Sequence, residues 1–124
     1  MNEEVKHSKK GLEDARDKLE RAKKLLQEAQ KCWDDGTFIK ALKKKTKKEK
    51  QKAIDLKLEI GTELLEIENA QIALVVGRVE ENSQQLESAM TDLGDALQTL
   101  TDVARILNAI GTLLSIASKI LALL

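Results

Sequence analysis

Apolar residues recur at alternating intervals of four and three from Val5 to Trp33. One seam position holds Val5, Leu12, Leu19, Leu26 and Trp33, and the other holds Ser8, Ala15, Ala22 and Ala29. That spacing keeps both sets on one helical face and predicts a helix over about 3–34. Large residues alternate with small ones, so a partner helix can approach closely. Asp34-Asp35-Gly36 is expected to stop the helix, with Gly36 in the left-handed position past its end. Thr37 would then cap the next helix. A connection this short implies antiparallel neighbours.

The second stripe runs through Ile39, Leu42, Thr46, Ala53, Leu56, Ile60, Leu64, Ile67 and Leu74, predicting a helix over about 37–81. It thins between Lys43 and Lys52, where Thr46 is its one uncharged seam residue. Gly61-Thr62 is a candidate break within it. Glu81-Asn82-Ser83 is the expected turn, because Asn82 can cap and Gln85 follows at capping-box spacing. The heptad then resumes through Leu86, Met90, Leu93, Leu97, Leu100, Ala104 and Leu107 to Gly111, Leu114 and Leu121, predicting a last helix over about 83–124. Its C-terminal half confines polar residues to one line, Thr101, Arg105, Asn108, Thr112, Ser115 and Lys119, with Ser118 beside it. A helix that is apolar nearly all round is either enclosed by other helices or meant for lipid.

These stripes predict an all-α antiparallel bundle of three long helices, or four if the chain breaks near Gly61, in a single domain over 1–124. The apolar C-terminal helix is expected at its centre. If the chain folds back near Asn82, residues 103–124 run beside 40–62, and the lysine-rich end lies against 112–124. The hairpin around 68–98 would protrude beyond the first helix. Its apolar residues Ile72, Leu74, Val75, Val76 and Val79 would form a self-association surface.

Composition agrees with this reading. The chain has no proline or tyrosine, one tryptophan and one phenylalanine, and 34% of its residues are charged. Long helices carry that signature, whereas a β-sandwich needs aromatic and β-branched strands between Gly/Pro turns. Ala29, Trp33, Gly36, Phe38, Ala41 and Leu42 are spaced so that this stretch resembles the helix-turn-helix of a tetratricopeptide repeat. The resemblance covers 14 residues, and no second copy follows at the 34-residue period of that family. It implies a helical hairpin at this point.

Little in the sequence suggests catalysis. Glu4-x-x-His7 has the spacing of half a di-iron site, but the chain contains one histidine. Cys32 has no histidine near it in sequence and excludes an intrachain disulfide framework. Neither phosphate-loop glycine spacing occurs. The acid groups Glu59/Glu63 and Asp92/Asp95/Asp102 read as solvent faces. The expectation is therefore a protein without enzymatic activity, metal, cofactor or small-molecule substrate.

Charge adds a partner class. Net charge is zero, yet residues 1–58 hold 18 Lys/Arg against 11 Asp/Glu, and residues 59–124 hold 3 against 10. Lys40, Lys43, Lys44, Lys45, Lys47, Lys48, Lys50 and Lys52 form a run that could dock on an anionic surface. Nucleic acid is disfavoured, because the run contains neither arginine to read bases nor aromatic residues to stack on them. In the last helix, Ile106, Leu107, Ile110, Leu113, Leu114, Ile116, Ile120 and Leu121 would form either core or a membrane-inserting face. The segment from Ile110 to Leu124 resembles membrane-active amphipathic peptides in composition. A spanning helix needs about 20 apolar residues, so this one is marginal.

Met1 to Lys6 contains no apolar stretch, so a secretory signal is not expected and the setting is read as cytoplasmic. Two functional expectations follow. One is a non-catalytic bundle that associates with itself or with another helical protein. The other is a membrane-active, pore-forming type of effector that docks through 40–52 and inserts 103–124.

Overall fold

The first heptad forms α1, Asn2–Gln30, about 43 Å long at helical rise. Ala15, Leu19, Ala22, Leu26 and Ala29 are its buried seam. The computed structural model describes Asn2 to Ala122, with side chains from Lys9 onward. The side chains of Glu4, Val5, His7 and Ser8 and the expected helix end at Leu124 lie outside the described residues.

The chain is all-helical, 87% helix, with six helices packed against one another. After α1 come a 3₁₀ turn (Lys31–Asp34), α2 (Gly36–Lys43), α3 (Lys47–Glu68), α4 (Ile72–Glu81), α5 (Ser83–Ala96) and α6 (Val103–Leu121). The three long helices expected from periodicity are thus divided, and the divisions have local causes.

At the first turn the cap is Asp35, not Thr37. Asp35 is extended, and its carboxylate accepts from the Thr37 and Phe38 amides at 2.8 and 3.2 Å. Gly36 is the first residue of α2, and no described residue has a positive φ. The 3₁₀ turn and the Asp35 amide, donating to Cys32 O at 3.0 Å, close α1 without a left-handed residue.

The expected second helix breaks at 44–46 and 69–71 and runs unbroken through Gly61. Thr46 is a cap rather than a seam residue. Its hydroxyl accepts from the Glu49 amide and donates to the Glu49 carboxylate, each at 3.2 Å. Thr-Lys-Lys-Glu is therefore a capping-box variant.

No reversal occurs at Asn82. Its amide donates to Arg78 O at 3.0 Å and its carbonyl accepts from Leu86 at 2.8 Å, so the helical ladder passes almost unbroken from α4 to α5. The reversal comes at Leu97–Asp102, where Asp102 caps α6 by accepting from the Arg105 amide at 3.3 Å.

Contacts between helices fix their directions. Gly11 of α1 lies against Val76 and Glu80 of α4, Lys18 bonds Ser83, and Arg21 bonds Glu87. Residue numbers rise together, so α1 runs parallel to α4 and α5. Lys52 meets Asn108 and Glu63 meets Ser118, so α3 runs parallel to α6. Arg78 of α4 donates to the carbonyls of Ile120 and Ala122 at the end of α6, while α5 ends at the reversal where α6 begins, so α4 and α5 together oppose α6. No hairpin over 68–98 protrudes, because α4 packs on α1 and α5 packs on α6.

The core gathers around α6, which touches every other α-helix. Val103, Ile106, Leu107, Ala109, Ile110, Leu113, Leu114, Ala117 and Ile120 are its buried residues. Arg105, Asn108, Thr112, Ser115, Ser118 and Lys119 face out along one line. Phe38 of α2, fully buried, closes one end and packs on Trp33 with ring centroids 5.2 Å apart.

Candidate functional site

The fold redistributes the residues singled out in the sequence. Of the expected self-association set, Val75 and Val79 are buried, and Ile72 and Val76 pack half-buried against the same core. Only Leu74, 59% exposed, is on the surface. The other four residues are the inner face of α4, packed on α1, because the expected protruding hairpin does not form.

The lysines stay outside. Lys40, Lys43, Lys44, Lys47, Lys48 and Lys52 are exposed, and Lys45 and Lys50 are half-buried. A shallow groove of about 420 Å³ is lined by Thr37, Lys40, Ala41, Lys44, Lys45 and Thr101. The cluster therefore lies beside the start of α6, not against 112–124 as the antiparallel expectation had it. The parallel run of α3 and α6 brings Lys52 Nζ to Asn108 Oδ1 at 3.0 Å.

The expected core-or-insertion set is core in this fold. Ile106, Leu107, Ile110, Leu113, Leu114 and Ile120 are buried, and Ile116 and Leu121 half-buried. Among the described residues α6 is the one helix long and apolar enough to cross a membrane, with mean hydropathy 1.4 and half of that window buried.

Sequence reasoning missed two features of α3. The first is Glu63, read as a solvent residue but only 5% exposed. Its carboxylate accepts from Ser118 Oγ at 3.3 and 3.4 Å. Burial, with the charges of Glu66 and Glu59 adding to it, pushes Glu63 up to about 7 despite that hydrogen bond. Its signal was its register: Ala53, Leu56, Ile60, Glu63 and Ile67 keep the spacing of three and four that defines the inner seam.

The second is an outer apolar stripe. Ile54 is 52% exposed, Leu58 68% and Leu65 60%, and Gly61 lies between them. Lys47, Gln51, Ile54, Leu58, Gly61, Leu65 and Glu68 keep the same four-three spacing on the side of α3 opposite its core seam. Leu56, Ile60 and Ile67 face α1 and α6, whereas on this second seam Ile54 and Leu58 are exposed and Leu65 borders an open groove shared with Val75 and Leu121.

Other chemistry is sparse. Among the described residues no group of three or more His, Cys, Asp or Glu could hold a metal ion. Arg21 grips Glu87 through two bonds of 2.8 Å, holding that carboxyl below its usual range. At the surface such a pair contributes under about 1 kcal/mol. Cys32 is buried, and burial, with the Asp35 charge, pushes its thiol up to about 11. Its thiolate is thus scarce at neutral pH. Labelling of the folded chain by a maleimide at pH 7.5 should therefore be limited by unfolding, with the rate rising as urea is added. Fast labelling without denaturant would contradict this burial.

Comparison with protein-family models, with curated proteins and with solved structures returns no match for the chain.

Proposed function

We propose that the chain is a non-catalytic antiparallel helical bundle that acts by self-association or by contact with another helical protein. Its helices group as four rods: α1, α2 with α3, α4 with α5, and α6. The observation that carries the reading is the outer stripe of α3, where Ile54, Leu58 and Leu65 expose more than half of their surface. Contiguous apolar surface rimmed by charge is the usual mark of an interaction site. Sedimentation equilibrium over a wide concentration range tests it directly. Concentration-dependent assembly is expected. A strict monomer that recovers no helical partner would overturn the reading.

A second reading, a membrane-active effector, is favoured by one feature, the length and apolarity of α6. In it the lysines between Lys40 and Lys52 dock on anionic headgroups and α6 then leaves the core. Release must expose nine buried residues of α6, many of them Leu, Ile or Val worth about 1.5–3 kcal/mol each, before lipid compensates. That cost is why it ranks second. Flotation with neutral and anionic liposomes at low and high salt, with dye leakage scored in the same tubes, separates the two. Salt-resistant binding with leakage would make α6 a membrane element, and salt-reversible binding would leave only a polybasic surface.

A further inference from the structure

Resting on the self-association reading, we infer that the outer face of α3 is the contact surface between two copies of this chain. The copies pack antiparallel, about a twofold axis passing between Glu59 and Ile60. Three of the four large exposed apolar residues of the described chain lie on this one face. With Gly61 between Leu58 and Leu65 they follow a four-three seam, the pattern by which one helix meets another along its length.

Charge selects a second copy and its direction. The N-terminal part of α3 carries Lys47, Lys48, Lys50 and Lys52 against Glu49, and the C-terminal part carries Glu63, Glu66 and Glu68 with no base. A parallel pair would stack lysines on lysines. The antiparallel pair sets Lys50 beside Glu68 of the partner subunit, and the symmetry repeats that contact at the other end. The same twofold axis sets Ile54 against Leu65 of the partner subunit and Leu58 against the partner's Gly61. A Cβ built at Gly61 would meet nothing within 4 Å, so the space above it is open to an incoming side chain. Asp55, Glu59, Glu66 and Glu68 on the same helix oppose an anionic lipid surface, which makes a protein face the better occupant.

Sedimentation equilibrium and cysteine cross-linking of the full chain test this register. The wild type is expected to dimerise, and Leu58→Glu to raise the dissociation constant at least about tenfold while far-ultraviolet dichroism stays unchanged. Lys50→Glu should weaken the dimer by about threefold, and Lys50→Glu combined with Glu68→Lys should restore it. Ile54→Cys mixed with Leu65→Cys should form a disulfide-linked heterodimer on mild oxidation. Ile54→Cys alone should not, because its two copies would lie roughly 16 Å apart along the helices.

A dimer indifferent to Leu58→Glu, or cross-linked at another register, would overturn this surface and leave self-association standing. A strict monomer would overturn both. Vesicle binding lost with Leu58→Glu, in a chain that never dimerises, would assign the stripe to lipid and overturn it as well.

Discussion

Replacing Ile110 by alanine is expected to cost about 2–5 kcal/mol, the range for truncating a closed aliphatic site. Ile110 is fully buried halfway along α6, the helix that touches every other α-helix, so no neighbour can collapse into the gap without disturbing another contact. A domain of this size has about 5–15 kcal/mol in total, so the variant sits near the edge of folding. Urea denaturation followed by far-ultraviolet dichroism measures the loss. Removing Arg21 from the exposed Glu87 pair should cost less than about 1 kcal/mol by the same measurement. Equal losses at the two sites would mean that α6 is not the centre of the core.

Glu63→Gln should stabilise the protein at alkaline pH and change little near pH 4.5. The folded carboxyl titrates at about 7 against an ordinary value of 4.5, so between those limits the folded state holds more protons than the unfolded state. Stability therefore falls as pH rises from about 4.5 to about 7, and it stays low above that range. Burial leads the shift, with Glu66 and Glu59 adding to it and Ser118 of α6 opposing it. Glutamine keeps an oxygen to accept from Ser118 and carries no charge. The gain at pH 8 should be on the order of 3 kcal/mol, the difference between 4.5 and about 7 converted at about 1.4 kcal/mol per pH unit. Melting curves of both proteins from pH 4 to 9 test the sign, and wild-type stability rising with pH through this window, where glutamine does not, would contradict the burial of Glu63. Acid removes the buried charge at Glu63 and so favours the packing of α3 on α6, although the Ser118 hydrogen bond itself favours the carboxylate. A membrane reading that relied on acid to free α6 would work against this group.

Much of the helix content was legible because side-chain spacing alone determines it. The inner seam of α1 and the solvent line of α6 follow directly from positions of alanine, leucine and the few polar residues. The capping box at Thr46 was legible too, as Thr-x-x-Glu, but a uniform run of lysines drew attention to charge instead. Leu97–Asp102 offered less, since it contains neither glycine nor proline and only Asp102 marks the start of α6. Ile54, Leu58 and Leu65 were visible as a second seam. One stripe is enough to bury that helix, so spacing alone gives the second seam no partner.

By itself the sequence determined an all-helical chain, the inward faces of α1 and α6, the basic and acidic halves, and the apolar character of α6. Those are local properties, set by what lies three and four residues away. Only the tertiary structure decided which helices meet and in which direction. Placing the reversal at 97–102 rather than at Asn82 makes α3 and α6 parallel, moves the lysines to the start of α6, buries Val75 and Val79, and sets Glu63 against Ser118. An inward stripe specifies that a helix must be covered, while its covering partner depends on loop closure and on the packing of all six helices together. On the outer stripe of α3, Ile54, Leu58 and Leu65 stay more than half exposed among the described residues.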